Sequence, residues 1–268
     1  MRLLRNSEID AIVSRSDIVI EIVEARNPLE TKSRIIESVA RKKERRYILV
    51  LNKCDLVPRY VCGEWIDYFR ELGISALCTS SIKRIGIKEL KHMLINFAGN
   101  KKTINVSVFG LPKVGKSSLI NALKGKDSAL TSPYPGSWGY TKGITLYKIL
   151  PGIYLIDTPG FVPPDAKGFE VLIRSRPIDL IPNPIAIAKE IITKIMYFNP
   201  ISIEIVYGLA TTDYLKLLEH IAIKRGWFYK TTKEPNIDEA AKTVIRDYLN
   251  GKLTFYLHPP TRDFIDSR

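Results

Sequence analysis

Between an apolar run at 104–109 and the helical pattern Ser118-Leu119-Ile120-Asn121-Ala122-Leu123 stands Gly110-Leu111-Pro112-Lys113-Val114-Gly115-Lys116-Ser117. It matches G-x-x-x-x-G-K-[ST], and a strand before it and a helix after it are the context that motif requires. Gly110 and Gly115 let the backbone curl around a phosphate with no Cβ in the way. The N–H groups at the helix start then attract negative charge. Lys116 can reach the β- and γ-phosphates of a nucleotide, and Ser117 can offer a hydroxyl to Mg²⁺. The expected phosphate-binding set is Gly110, Pro112, Lys113, Val114, Gly115, Lys116, Ser117 and Ser118.

Asp157-Thr158-Pro159-Gly160 follows a second apolar run at 153–156. An Asp at the carboxyl end of a sheet strand is well placed to hold the water shell of Mg²⁺. The Gly160 N–H could contact a γ-phosphate. Between the two motifs lies a Pro/Gly-rich segment, 132–143, whose composition suits a functional loop. Thr141 is its candidate hydroxyl ligand to Mg²⁺, although the loop offers other hydroxyls. The metal set is therefore Ser117, Thr141 and Asp157, and the catalytic set is Lys116, Thr141 and Gly160.

Asn52-Lys53-Cys54-Asp55 follows a third apolar run, 47–51, and matches N-K-x-D. A carboxylate at Asp55 can accept two hydrogen bonds from the guanine N1–H and N2 amine, which adenine cannot offer. An unpaired buried acceptor costs about 1–3 kcal/mol, and this is the physical basis of discrimination. Lys53 can lay its stem along the base, and Asn52 can tie the loop down. A second base element is Thr79-Ser80-Ser81-Ile82-Lys83, where the backbone N–H of Ser81 or Ile82 would meet the guanine O6.

Six short runs rich in Ile, Val and Leu read as strands: 18–23, 47–51, 74–79, 104–109, 145–149 and 153–156. They are mostly apolar on both faces, as in a sheet covered by helices on each side. Segments 32–43 and 64–72 have helical length and polarity. The fold class is α/β, a P-loop NTPase doubly wound sheet. After Phe161-Val162-Pro163-Pro164 the apolar spacing becomes helical. Asn236 is an expected N-cap, Gly251 a stop, and Ile237, Ala240, Ala241, Val244, Ile245 and Tyr248 one apolar stripe. The expected division is 1–164 for the nucleotide domain and 165–268 for a C-terminal, mainly α-helical domain.

The net charge is +13, of which residues 1–164 carry +11. Such an excess favours a polyanionic partner such as nucleic acid. The densest basic run is Arg41-Lys42-Lys43-Glu44-Arg45-Arg46, which reads equally as an RNA contact or a solvated helix end. Lys224, Arg225, Trp227, Phe228, Tyr229 and Lys230 mix cations with rings, and here the rings are expected to fill a core. The three cysteines and three histidines lack metal-ligand spacing; free thiols suit a reducing cytoplasm. No apolar run is long enough to span a bilayer, and the start does not read as a signal peptide.

The motif order is base (52–55), base (80–82), phosphate (110–117), loop (141) and Mg²⁺ (157–160). In ordinary small GTPases the phosphate loop comes first, so the set is complete but rotated. The chain resembles the circularly permuted GTPases of the YlqF/YawG type, which include ribosome-assembly GTPases. Near the start, 17–28 is similar to the family's D-x-V-x-x-V-x-D-A-R-x-P, with Glu24-Ala25-Arg26-Asn27-Pro28 at its end. Near the end, 222–227 and 245–253 are similar to the family's C-terminal helical region.

The resemblance implies a circularly permuted G domain that hydrolyses GTP with Mg²⁺. It further implies a GTP-gated factor in large-subunit assembly that binds ribosomal RNA or a pre-ribosomal particle. The expected setting is the cytoplasm, with no DNA or membrane partner, and the expected state is a monomer. The family often has Asn where this chain has Lys113; that Asn helps bind K⁺ in related GTPases. The lysine ammonium either replaces the ion or points to solvent, so K⁺ stays open as a second cofactor. Phe161 stands where many GTPases place a water-orienting Gln, which implies slow intrinsic hydrolysis. Competing readings are a GTP-gated RNA- or protein-binding module unrelated to ribosome assembly, and an ATP-using phosphotransferase.

Overall fold

The computed structural model describes residues 5–124, 145–158 and 162–260, with backbone alone at Thr145, Leu146 and Asp157. Among the described residues, six strands form one sheet: β1 (Ile18–Glu24), β2 (Arg46–Asn52), β3 (Ser75–Thr79), β4 (Ile104–Gly110), β5 (Thr145–Leu150) and β6 (Ile153–Asp157). Their order is β3-β2-β1-β4-β6-β5. The pairs from β3 through to β6 are parallel; β5 closes the edge as an antiparallel hairpin with β6. Each strand matches an apolar run of the sequence to within a residue or so at its ends.

Among the described residues, six helices accompany this sheet: α1 (Asn6–Ser14), α2 (Pro28–Thr31), α3 (Arg34–Lys42), α4 (Arg59–Glu71), α5 (Ile87–Ala98) and α6 (Lys116–Leu123); α7 (Phe169–Ser175) spans the point in the chain where a second unit begins. Every residue of β1 is buried, because helices cover both faces of the central strand. Ile18, Ile20 and Ile22 pack on one side with Leu90 and Leu94 of α5 and Leu119, Ile120 and Leu123 of α6. Val19 packs on the other with Ile9 and Val13 of α1, Ile36 and Ala40 of α3, and Phe109. Period-two alternation thus feeds two cores from one strand. The chain winds outward from β1 through β2 to β3, then returns to β4 on the other side of β1. Ligand crevices in such sheets open at the carboxyl ends where the winding reverses.

The chain divides into two compact units. One runs to Val171 and is rejoined by the tail from His258; the other is Leu172–Leu257. The division expected at 164/165 lies earlier in the chain and gave the whole tail to the helical part. Two contacts hold that tail to the first unit. His258 Nδ1 lies 2.7 Å from Glu64 Oε2, and its ring stacks on Tyr60 at 6.1 Å. The second unit contains α8 (Pro184–Phe198), α9 (Ile201–Tyr207), α10 (Tyr214–Lys224) and α11 (Ile237–Leu249). The Asn236 side chain caps α11 by accepting from the Glu239 N–H at 3.1 Å. Ala240, Ala241, Val244, Ile245 and Tyr248 are buried, and Tyr248 stacks on Phe255 at 5.2 Å. Trp227 is only half-buried, with Arg225 over its ring at 5.2 Å, and Phe228 is 45% exposed. These rings therefore do not fill the core, because the turn at Gly226 carries them past the end of α10.

Within β1 the sheet buries two carboxylates, Glu21 and Glu24. Tyr47 Oη donates to Glu21 Oε2 at 2.5 Å, and the Ser33 N–H donates to Oε1 at 2.5 Å. Burial lifts the Glu21 carboxyl to about 7, against the opposing charge of Lys32 and these two hydrogen bonds. The folded protein keeps this proton to a higher pH than the unfolded chain. The stabilisation is therefore complete below the ordinary carboxylate pKa and fades as pH rises through about 7. We expect melting temperatures of the native protein to fall between about pH 4.5 and 7, a loss on the order of 3 kcal/mol. Glu21→Gln should flatten that slope, as checked by calorimetry across the range.

Candidate nucleotide site

The carboxyl ends of β2, β1, β4 and β6 lie side by side. Glu24 of β1 pairs in register with Asn52 of β2, Ile22 with Gly110 of β4, and Val108 with Asp157 of β6. Of these four adjacent strands, β2, β4 and β6 carry N-K-x-D, the phosphate loop and the start of D-x-x-G at their ends, and β1 lies between β2 and β4.

One side chain joins these elements. Asn52 is buried, and its Nδ2 donates to the Val114 carbonyl at 2.9 Å. Its Oδ1 accepts from Ser81 N at 3.2 Å, Ser81 Oγ at 2.9 Å and Thr79 Oγ1 at 3.1 Å. The donors and the carbonyl fix which end of the amide is oxygen. Gly115 stands against this amide with φ +99, and a Cβ there would come within 2.2 Å of Asn52 Nδ2. A glycine is required on both counts. At the strand end, a Cβ on Gly110 would lie 2.6 Å from the Ile22 carbonyl, so the loop can hug β1 only without one.

Lys53 adopts a left-handed conformation, φ 62, and starts the 3₁₀ turn Cys54–Leu56 that carries Asp55. Its Nζ is 2.9 Å from Glu24 Oε2. The second base element is a closed turn: Ser80 and Ile85 exchange backbone hydrogen bonds at 3.0 and 3.1 Å, and Ser80 Oγ accepts from Lys83 N at 3.1 Å. At its tip Ile82 is 84% exposed. In the phosphate loop, Pro112 and Val114 are buried while Lys113, at φ 61, Ser117 and Ser118 are exposed. Lys116 opens α6, and its Nζ lies 3.4 Å from Thr158 Oγ1, which donates to the Val108 carbonyl at 2.6 Å. Thr158 is a contributor that the sequence reading passed over. Its signal was its place inside D-x-x-G, directly after a strand.

Thr141, Gly160, Phe161 and the side chain of Asp157 lie outside the described residues. So does the loop 132–143. The remaining candidates, 52–55, 80–82 and 110–118, gather at one end of one sheet. Much of the basic run at 41–46 is engaged internally. Arg41 Nε lies 2.9 Å from Glu37 Oε1, Lys43 Nζ 3.1 Å from Asp10 Oδ2, and Arg46 sits over Phe97 at 5.5 Å. Among the described residues no group of His, Cys, Asp or Glu could hold a metal by itself. None of their helices is long and apolar enough to cross a membrane.

Fold and site together define a P-loop nucleotide-binding domain whose base motifs precede its phosphate motif in the chain. The RsgA GTPase family model matches residues 2–167, and the chain belongs to that family. It is similar to Nucleolar GTP-binding protein 2 of Neurospora crassa, 33% identical over 267 residues, covering 96% of this chain and 42% of that one. An uncharacterised GTP-binding protein of Methanocaldococcus jannaschii is 33% identical over 254 residues, covering 92% and 65%. The chain thus spans about half the length of the curated relatives it matches. The crystal structure of GNP-bound YlqF from T. maritima has the same circularly permuted fold, with a TM-score of 0.63, 23% identity, and coverage of 92% of this chain and 93% of that one.

Removing the Asn52 amide strands the Val114 carbonyl and the Ser81 N–H. We expect Asn52→Ala to cost about 3 kcal/mol of stability in urea unfolding. Gly115→Ala should cost less in the Asn52→Ala background than in the native protein, since part of its penalty is the clash with that amide and part the backbone strain.

Proposed function

We propose that this chain is a Mg²⁺-dependent GTPase that acts as a switch in assembly of the large ribosomal subunit. The observation that carries the proposal is the Asn52 side chain, which fastens the base-reading segments to the phosphate loop. With the two segments joined, one purine nucleotide can reach Asp55 with its base and Lys116 with its phosphates. The Ser81 N–H is already bound to Asn52, which leaves that of Ile82 for the guanine O6. Asp55 would take the N1–H and the amino group.

The oxygen donors Ser117 and Asp157 suit a hard divalent cation. The fit is supported by the pairing of Val108 with Asp157, which sets the backbone of Asp157 one strand from the phosphate loop. Mg²⁺ held there would neutralise charge on the β- and γ-phosphates. Thr141 and Gly160 keep the roles read from their motifs, on the hydroxyl and γ-phosphate sides. Water attacks the γ-phosphoryl group while Lys116 stabilises the charge that develops. Phe161 cannot orient that water by hydrogen bonds, so intrinsic turnover is slow until a partner completes the site.

The nucleotide chemistry belongs to the first unit, and its positive charge suits ribosomal RNA. The segment after the D-x-x-G motif returns to α3, where Asp165 accepts from Ser33 Oγ at 2.8 Å and Arg34 N at 2.7 Å. That attachment offers a route from the γ-phosphate to the rest of the chain. The chain acts where large subunits are assembled, the cytoplasm in a cell without a nucleus; the similar fungal proteins are nucleolar by name. It works as a monomer, with Lys113 either standing in for K⁺ or facing solvent.

We expect co-sedimentation with large subunits in the presence of a non-hydrolysable GTP analogue and not with GDP. Equal binding in both states would end the switch reading. Asp55→Asn should move nucleotide preference from guanosine to xanthosine by about two orders of magnitude, as measured by competition.

A further inference from the structure

We propose that Glu24 is a positioning residue for the base site, acting through Lys53; the inference rests on the guanine reading above. Glu24 is the last residue of β1, its side chain wholly buried. Its Oε1 binds Arg26 through Nε and Nη2, and its Oε2 binds Lys53 Nζ at 2.9 Å. Its backbone N–H donates to Thr31 Oγ1 at 3.0 Å, and that hydroxyl donates onward to the Asn27 carbonyl at 2.8 Å. The carboxylate is therefore fixed from its backbone and from one oxygen, and its other oxygen faces the next strand.

Lys53 needs such an anchor. It sits in the left-handed region, φ 62 and ψ 35, between Asn52 and the turn that holds Asp55. Its carbonyl closes that turn by accepting from Leu56 N at 3.0 Å. A lysine stem has four rotatable bonds, and leaving them free would cost entropy each time a base bound. The Glu24 carboxylate holds the ammonium, so the stem is set before a base arrives. The order of control runs from Arg26, fully buried, to Glu24, to Lys53, to the purine plane beside Asp55. Through Lys53 the carboxylate acts on the base-reading turn, so the device governs base binding and leaves phosphoryl transfer to Lys116 and the phosphate loop.

The test measures GDP and GTP affinity by fluorescence titration and turnover by phosphate release. Glu24→Gln should weaken GDP and GTP alike by about tenfold, raising KM and leaving kcat within about twofold. Lys53→Met keeps the stem and the Glu24–Arg26 pair while removing the ammonium, so it serves if Glu24→Gln fails to fold. It should weaken GDP by about tenfold, and adding Glu24→Gln to it should weaken binding by no more than about twofold further. Independent, multiplying effects would overturn the proposal, as would native GDP affinity in Lys53→Met or in a folded Glu24→Gln. A wild-type protein without preference for guanine nucleotides would overturn both this inference and the reading beneath it. Guanine preference that shifts in Asp55→Asn, together with unaltered affinity in Lys53→Met, would sink this inference alone.

Discussion

A single carboxamide holds the site together. Asn52 spends its nitrogen on the phosphate loop and its oxygen on the second base element, so three segments far apart in sequence share one buried hub. Such a hub has value only when every partner is satisfied. A buried amide missing one bond costs more than a made bond returns, so the three loops stand or fall together. The glycine at 115 follows from the same constraint: the amide lies so close to the loop that no side chain fits between them.

The central strand explains how rotation of motif order leaves the pocket intact. β1 comes first in the chain yet lies mid-sheet, with the base strand β2 on one side and the phosphate strand β4 on the other. Hydrogen bonding along parallel strands depends on neighbours in space and not on chain order, so the breaks between segments can move while the ladder stays the same. The same strand carries the buried acids. Glu21 ties the start of α3 and Tyr47 to the sheet, and Glu24 ties Lys53 and Arg26 at its carboxyl end. Covered strands are normally apolar, and two carboxylates in a strand of seven mark where that rule yields to the site.

Much of this was readable beforehand, for definite reasons. Short Ile/Val/Leu runs bounded by polar turns read as covered strands, and all six occur. The asparagine at 236, three residues before Glu239, read as a cap and is one. The helical stripe of α11 held at Ala240, Ala241, Val244, Ile245 and Tyr248, because a repeat of 3.6 leaves few choices of buried face. The ring cluster around Trp227 did not follow, since rings signal burial by size alone and a turn at Gly226 placed them outside. Thr158 escaped notice because its role depends on Lys116, more than forty residues earlier.

The sequence alone determined the elements and the chemistry of each motif: strand and helix periodicities are local, and so are the glycine, lysine and aspartate spacings that suit phosphate and base. Tertiary structure alone decided that Asn52 would touch Val114 and Ser81, that Glu24 would reach Lys53, and that the tail at His258 would return to the first unit. Those contacts join residues set side by side by strand order and register. Register is a property of the whole sheet, fixed by burying both faces at once, and no local pattern encodes it.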